Sequence, residues 1–168
     1  MTRPTPALAA SSSLPARSGL VWLAIGATLG ALSVGLGAIG THSLRAHLGA
    51  RELELWRTAV RYLQVHALAL VGVGLVRPDR RAVRRLAGAA GTLLSGGTVL
   101  FAGSVAGLAL GGPRGLGAVA PAGGALLIAG WLCLAAAALT GLRRGPAAPD
   151  SGRDDGAPHS QGPDGGPR

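Results

Sequence analysis

His66 opens the apolar run "HALALVGVGLV", five residues after Arg61. An imidazole can hold a proton, a metal ion or a hydrogen bond, and a guanidinium can hold an anion. His66 is eleven residues before Arg77, roughly 16 Å along a helix at about 1.5 Å per residue. That is near the middle of a hydrocarbon layer about 30 Å thick. Arg61 is sixteen residues before Arg77, roughly 24 Å, just inside the edge of the same layer. Ionisable residues at such depth often mark proton or ligand pathways. The simpler role is a hydrogen bond between helices, for which small hydroxyls on neighbouring helices are natural partners. Counting depth along the neighbouring segments places Ser33 level with His66 on one and Ser95 to Thr98 on another. The candidate intramembrane polar site is therefore His66, Arg61, Ser33, Ser95 and Thr98.

A metal site is the weakest of the readings. His42 and His47 are five apart, which splits them across helix faces, whereas paired ligands prefer i, i+4. His42 and Arg57 are expected at the membrane interface, with Arg57 snorkelling toward water. Cys133 is the only cysteine, and nothing near it in sequence would activate it as a nucleophile. The loop "GGPRGLGAVAPAGG" lacks the GK[ST] ending of a phosphate loop. No acidic residue falls inside an apolar run and no Ser/His/Asp arrangement can be placed. The expectation is a protein that is not an enzyme, with no cofactor and no metal.

The elements that must carry these residues are apolar and long. Leu20–Gly40 runs 21 residues without a charge, and about 20 are needed to cross a bilayer core. Three more such segments follow, at about 56–76, 86–110 and 116–142. Apolar character on all faces argues for membrane spans and against surface helices. Hydrophobic residues make up 48% of the 168-residue chain, yet aromatics only 3%, and glycine occurs 29 times. Leu, Ala, Val and Gly suit close helix packing in lipid. The fold class is all-α: an integral membrane bundle of four transmembrane helices with small-residue packing faces, residues 19–142. The Pro/Ser-rich residues 1–18 and the Gly/Pro/Asp-rich residues 143–168 read as disordered tails. The first segment is longer than a signal-peptide core and lacks a clear cleavage site after it.

The first two segments are expected to form a helical hairpin. "THSLRAHL" holds good helix formers and no breaker before Gly49, so helix one is drawn to about Leu48, with Gly49 just beyond its end. Helix two then restarts at about Ala50, with Glu52 and Glu54 where the helix dipole favours acids. His47, Arg51, Glu54, Arg57 and Arg61 recur at helical spacing on one polar face, and Leu55, Ala59, Tyr62 and His66 on a packing face. Small residues recur at Gly26, Gly30, Ser33 and Gly37, again at Ala27, Ala31 and Gly35, and at Gly103 and Gly107. The longest ladder is Ala125, Ala129, Cys133, Ala137 and Gly141 on helix four.

Charge sets the partners and the topology. The net charge is +9, with all 16 basic residues arginine. They flank apolar segments and form no stripe interleaved with aromatics, which excludes a nucleic-acid partner. Arg3, Arg17, Arg77, Arg80, Arg81, Arg84, Arg85, Arg143 and Arg144 fall at one membrane face. Arg45, Arg51, Arg57, Arg61 and Arg114 fall at the other. The richer face is expected to be cytoplasmic, together with both termini. The partners expected are the lipid bilayer and other membrane proteins or further copies of the chain.

Four blocks carry a resemblance. They are Gly37–His42 ("GAIGTH"), Trp56–Leu70 ("WRTAVRYLQVHALAL"), Leu100–Ser104 ("LFAGS"), and Pro121–Gly124 followed by Gly130-Trp131. In order and spacing they resemble the YgdD-like family of small membrane proteins, catalogued as a domain of unknown function. Thr41, Ala102 and Ala106 are mild departures from its pattern. The resemblance covers roughly 20–142. It implies a four-helix protein of the bacterial plasma (inner) membrane and brings no established activity and no catalytic residues. A small proton-coupled transporter using His66 and Arg61 is the alternative to a non-enzymatic assembly protein.

Overall fold

The computed structural model describes residues 17–77 and 80–142. The expected disordered tails lie outside them, except that Arg17 and Ser18 already open the first helix. The chain forms α1 (Arg17–His42), α2 (Ala50–Leu75), α3 (Arg81–Ala109) and α4 (Leu116–Leu142). All four are long and apolar enough to cross a membrane. A helix is the element such sequences must form in lipid, because it satisfies every backbone polar group within one segment.

The ends of the helices differ from the sequence reading at two places. α1 stops at His42, not near Leu48, and a three-residue 3-10 turn, Leu44–Ala46, follows. The physical reason is the position of Leu44. The turn packs it against the cluster of Trp56, Val60 and Ala109. Gly49 is consequently not the residue that ends helix one; extended at φ −66°, ψ 169°, it caps the start of α2. α3 begins at Arg81, five residues before the apolar segment read from sequence, so Arg81, Arg84 and Arg85 ride on its exposed first turns. Its far end closes on Gly111, whose φ of +79° only glycine adopts readily. The Gly112 amide donates to the Gly107 carbonyl at 2.9 Å and the Gly111 amide to Leu108 at 3.1 Å. That paired closure satisfies carbonyls the helix end leaves free.

Each helix packs on the next in sequence, α1 on α2, α2 on α3 and α3 on α4. The hub is α2, half buried along its membrane window; α1 and α4 bury only 17% of theirs. Leu70, Leu94 and Leu127 form the centre of the core, with Val73 and Ala90. Glycines set how near the helices come. A Cβ at Gly123 would stand 2.5 Å from the Phe101 amide nitrogen, and one at Gly130 2.8 Å from the Leu94 side chain. On the other side of the hub, a Cβ at Gly26 would meet the Ala67 carbonyl at 2.8 Å. These are the close approaches that small residues permit in lipid.

The small-residue ladder expected on helix four is not the seam. The residues that α4 buries are Gly123, Leu127, Gly130 and Ala137. Ala125 is exposed and Ala129, Cys133 and Gly141 are half-buried. A strict four-residue repeat turns about 40° per step on a helix of 3.6 residues per turn, so five members wander off any one face. The buried spacing of four, three and seven holds a single face.

Candidate functional site

His66 sits on the buried side of α2, 5% exposed. Its Nδ1 lies 2.7 Å from the Tyr62 carbonyl, one turn back on the same helix. Its Nε2 accepts from the Trp131 indole N–H on α4, at 3.3 Å. These partners assign the proton. A carbonyl only accepts and an indole N–H only donates, so Nδ1 carries the hydrogen and Nε2 is bare. The ring is the neutral Nδ1–H tautomer, and both nitrogens are used.

The hydroxyls expected as partners are turned to their own helices. Ser33 Oγ donates to the Gly30 carbonyl at 2.7 Å and Thr98 Oγ1 to the Leu94 carbonyl at 2.6 Å. Ser95 Oγ has no hydrogen-bond partner. The depth register is as expected, since Ala67 faces Gly30 and Tyr62 faces Phe101. The direction of the side chains is not. A hydroxyl on a short stem reaches the carbonyl one turn back more easily than a neighbouring helix.

Aromatic rings extend the junction. Tyr62 lies against Phe101 of α3 with centroids 4.2 Å apart and against His66 at 5.7 Å. His66 meets Trp131 edge-on at 6.2 Å. Four rings thus cross from α3 over α2 to α4. The remaining two aromatics also bridge helices. Trp56 donates its indole N–H to the Leu36 carbonyl of α1 at 3.0 Å and lies over Gly40. Trp22 of α1 lies over Gly91 of α3. In a chain with five aromatic residues, every one joins two helices.

Arg61 shares a cavity of about 270 Å³ with His66, Tyr62, Val65 and Trp131. The two faces that the helix wheel separates therefore border one cavity, which Trp131 also lines. Arg57 is exposed and lies 3.8 Å from Glu54, one turn away. His42, exposed, is the last residue of α1. Among the described residues no three His, Cys, Asp or Glu side chains cluster so as to hold a metal ion.

Trp131 is the site residue that sequence reasoning missed. The signal was available in the same depth count. Trp131 is eleven residues before Leu142, as His66 is before Arg77, and both helices end at the same membrane face.

A family model described as "Protein of unknown function (DUF423)" matches residues 36–124, more than half of the chain. The chain belongs to the DUF423 family. The UPF0382 membrane protein SH2409 of Staphylococcus haemolyticus is 40% identical over 114 residues, covering 68% of this chain and 91% of the relative. The UPF0382 membrane protein YwdK of Bacillus subtilis is 35% identical, covering 71% and 96%. The UPF0382 inner membrane protein YgdD of Escherichia coli is 34% identical, covering 73% and 92%. No solved structure matches the chain. As a DUF423 member with these relatives and four spanning helices, the chain is a multi-pass membrane protein whose family name states no activity. The four blocks that carry the sequence resemblance meet one another in space: Gly40 under Trp56, Phe101 against Tyr62 and Gly123, Trp131 on His66. They are contacts between helices.

Proposed function

We propose that this protein is a non-enzymatic component of the bacterial inner membrane that acts by assembling with a second copy of itself. The observation that carries the reading is an open groove. α1 and α3 touch where Trp22 crosses Gly91 and separate toward the other face of the membrane. Between them lies an apolar cavity of about 200 Å³, walled by Leu29, Leu32 and Leu36 of α1 and Val99, Gly103 and Ala106 of α3. Leu32 and Val99 are 50% and 65% exposed. A groove of this shape, edged by glycine and alanine, suits a helix that approaches closely. The histidine supports the same reading from the other side, because one nitrogen is spent on its own helix and the other on holding α2 to α4.

The arginine asymmetry supports an orientation with both termini in the cytoplasm. A reporter active only outside the cytoplasm is then silent when fused after Leu142 and active when inserted at Gly112.

Oxidative cross-linking in membranes tests the assembly. In a Cys133→Ser background, Leu32→Cys or Val99→Cys is expected to give a covalent dimer. Leu132→Cys, on the outer side of α4, is expected to stay monomeric. Monomers throughout would remove the second copy as occupant of the groove. The shared Arg61–His66 cavity favours the transporter alternative. In that case His66→Gln would fold and abolish a pH-dependent flux in vesicles.

A further inference from the structure

We propose that Arg45, Arg57 and Arg61 form a site for the phosphate group of an anionic phospholipid at the outer corner of α1 and α2. A cavity of about 290 Å³ opens there, edged by the three arginines with Thr41 and Gln64 and floored by Val60. Five of the described arginines stand at this end of the bundle, and the other two, Arg51 and Arg114, do not line the cavity. The convergence is built by the fold. The 3-10 turn after α1 brings Arg45 back beside α2, and Arg57, Arg61 and Gln64 follow on one side of that helix.

The charges are not neutralised from within. Glu54 pairs with Arg57 alone, across 3.8 Å and with both side chains more than half exposed. Arg45 and Arg61 face no carboxylate at ion-pair distance among the described residues. By helix rise Arg61 lies inside the hydrocarbon edge, where a guanidinium without a counter-anion is costly. Guanidinium forks match phosphate oxygens in two-point hydrogen bonds.

The surface below the arginines decides between a lipid and a free phosphate. From Arg61 toward the opposite face, the outward side of α2 reads Val65, Leu68, Gly72 and Leu75. Val65, Leu68 and Leu75 are 48%, 73% and 59% exposed, and nothing stands within 4 Å of a Cβ at Gly72. Headgroup chemistry thus sits at the membrane edge with an unobstructed apolar strip directly beneath it, as a phospholipid requires. The inference rests on the chain spanning a membrane and not on its self-assembly.

The test is lipid titration of the purified full chain in mild detergent, read by native mass spectrometry and by thermal shift. Phosphatidylglycerol is expected to bind and raise the melting temperature where phosphatidylcholine does not. Arg61→Gln and Arg45→Gln should each weaken phosphatidylglycerol binding about fivefold, and Arg114→Gln should leave it unchanged. Arg45 is exposed in the 3-10 turn after α1, so Arg45→Gln carries the test even if Arg61→Gln fails to fold. Equal binding by phosphatidylcholine, or undiminished binding by Arg45→Gln, would overturn the site. Equal protection by inorganic phosphate would overturn the lipid assignment.

Discussion

The α3–α4 seam and the α1–α3 gap use the same residue types to opposite ends. In the seam each glycine faces something large: Gly97 meets Leu127, Gly123 meets Phe101, Gly130 meets Leu94. In the gap Gly103 faces nothing within 4 Å, and Leu32 and Val99 look into open space. Glycine content alone therefore says little about where helices meet. What closes a seam is a glycine on one helix set directly against the backbone or a bulky side chain of the other, at the same depth. α3 carries both kinds of glycine, on different sides.

Breaking the seam has the largest expected effect. Gly123→Ala places a methyl 2.5 Å from the Phe101 amide nitrogen and 2.9 Å from its Cα. Neither atom can swing aside as a flexible side chain would, so α3 and α4 must separate. Overpacking of a tight core costs about 1–3 kcal/mol, occasionally more, and a backbone obstruction belongs at the upper end. Thermal unfolding in detergent reads this directly. A Gly123→Ala variant as stable as the parent would mean the two helices are not held at this distance.

The His66–Trp131 junction comes next, because it ties α4 to the hub by a side-chain hydrogen bond. Trp131→Phe keeps most of the ring and removes the indole N–H, stranding Nε2 of a buried histidine. A lost interhelical hydrogen bond in a membrane costs about 0.6 kcal/mol on average and up to about 1.7. His66→Ala loses the same bond and adds a packing gap of similar or larger cost. His66→Gln should recover part of the stability. In the double variant His66→Ala/Trp131→Phe the two losses should be less than additive, since one bond is removed twice. Full additivity in unfolding measurements would show that the two residues act independently.

Much of this was legible in the sequence. Four spans, their order and their approximate limits follow from apolar runs that a bilayer makes decisive. The burial of His66 follows from helical periodicity. The partner of His66 did not follow, because a hydroxyl at the right depth satisfies the same chemical need on paper. Only side-chain direction separates Ser33 and Thr98, bonded to their own helices, from Trp131. The α1 terminus failed for a related reason. "THSLRAHL" is locally helical, and the packing of Leu44 against the Trp56, Val60 and Ala109 cluster is a long-range contact that local propensity does not contain. The arginine cavity was equally hidden, since Arg45 comes to line it beside Arg61 only after that turn has formed.

The smallest expected effect sharpens the comparison most. Gly103 and Gly35 are both open positions, with nothing within 4 Å of a Cβ at either. Gly103 lines the groove, and Gly35 faces outward on α1. Alanine is favoured over glycine in a helix interior by up to about 1 kcal/mol, so each single Gly→Ala variant should unfold slightly later than the parent. The two should then part company in the cross-linking experiment. Gly35→Ala leaves the groove as it was and should leave dimer formation by Val99→Cys unchanged. Gly103→Ala narrows the surface a second helix would approach, and should lower the dimer yield even while the monomer gains stability. A rise in stability with a fall in assembly cannot come from general damage to the fold. If both variants cross-link like the parent, the open side of α3 is a lipid face, and its glycines are there for no partner.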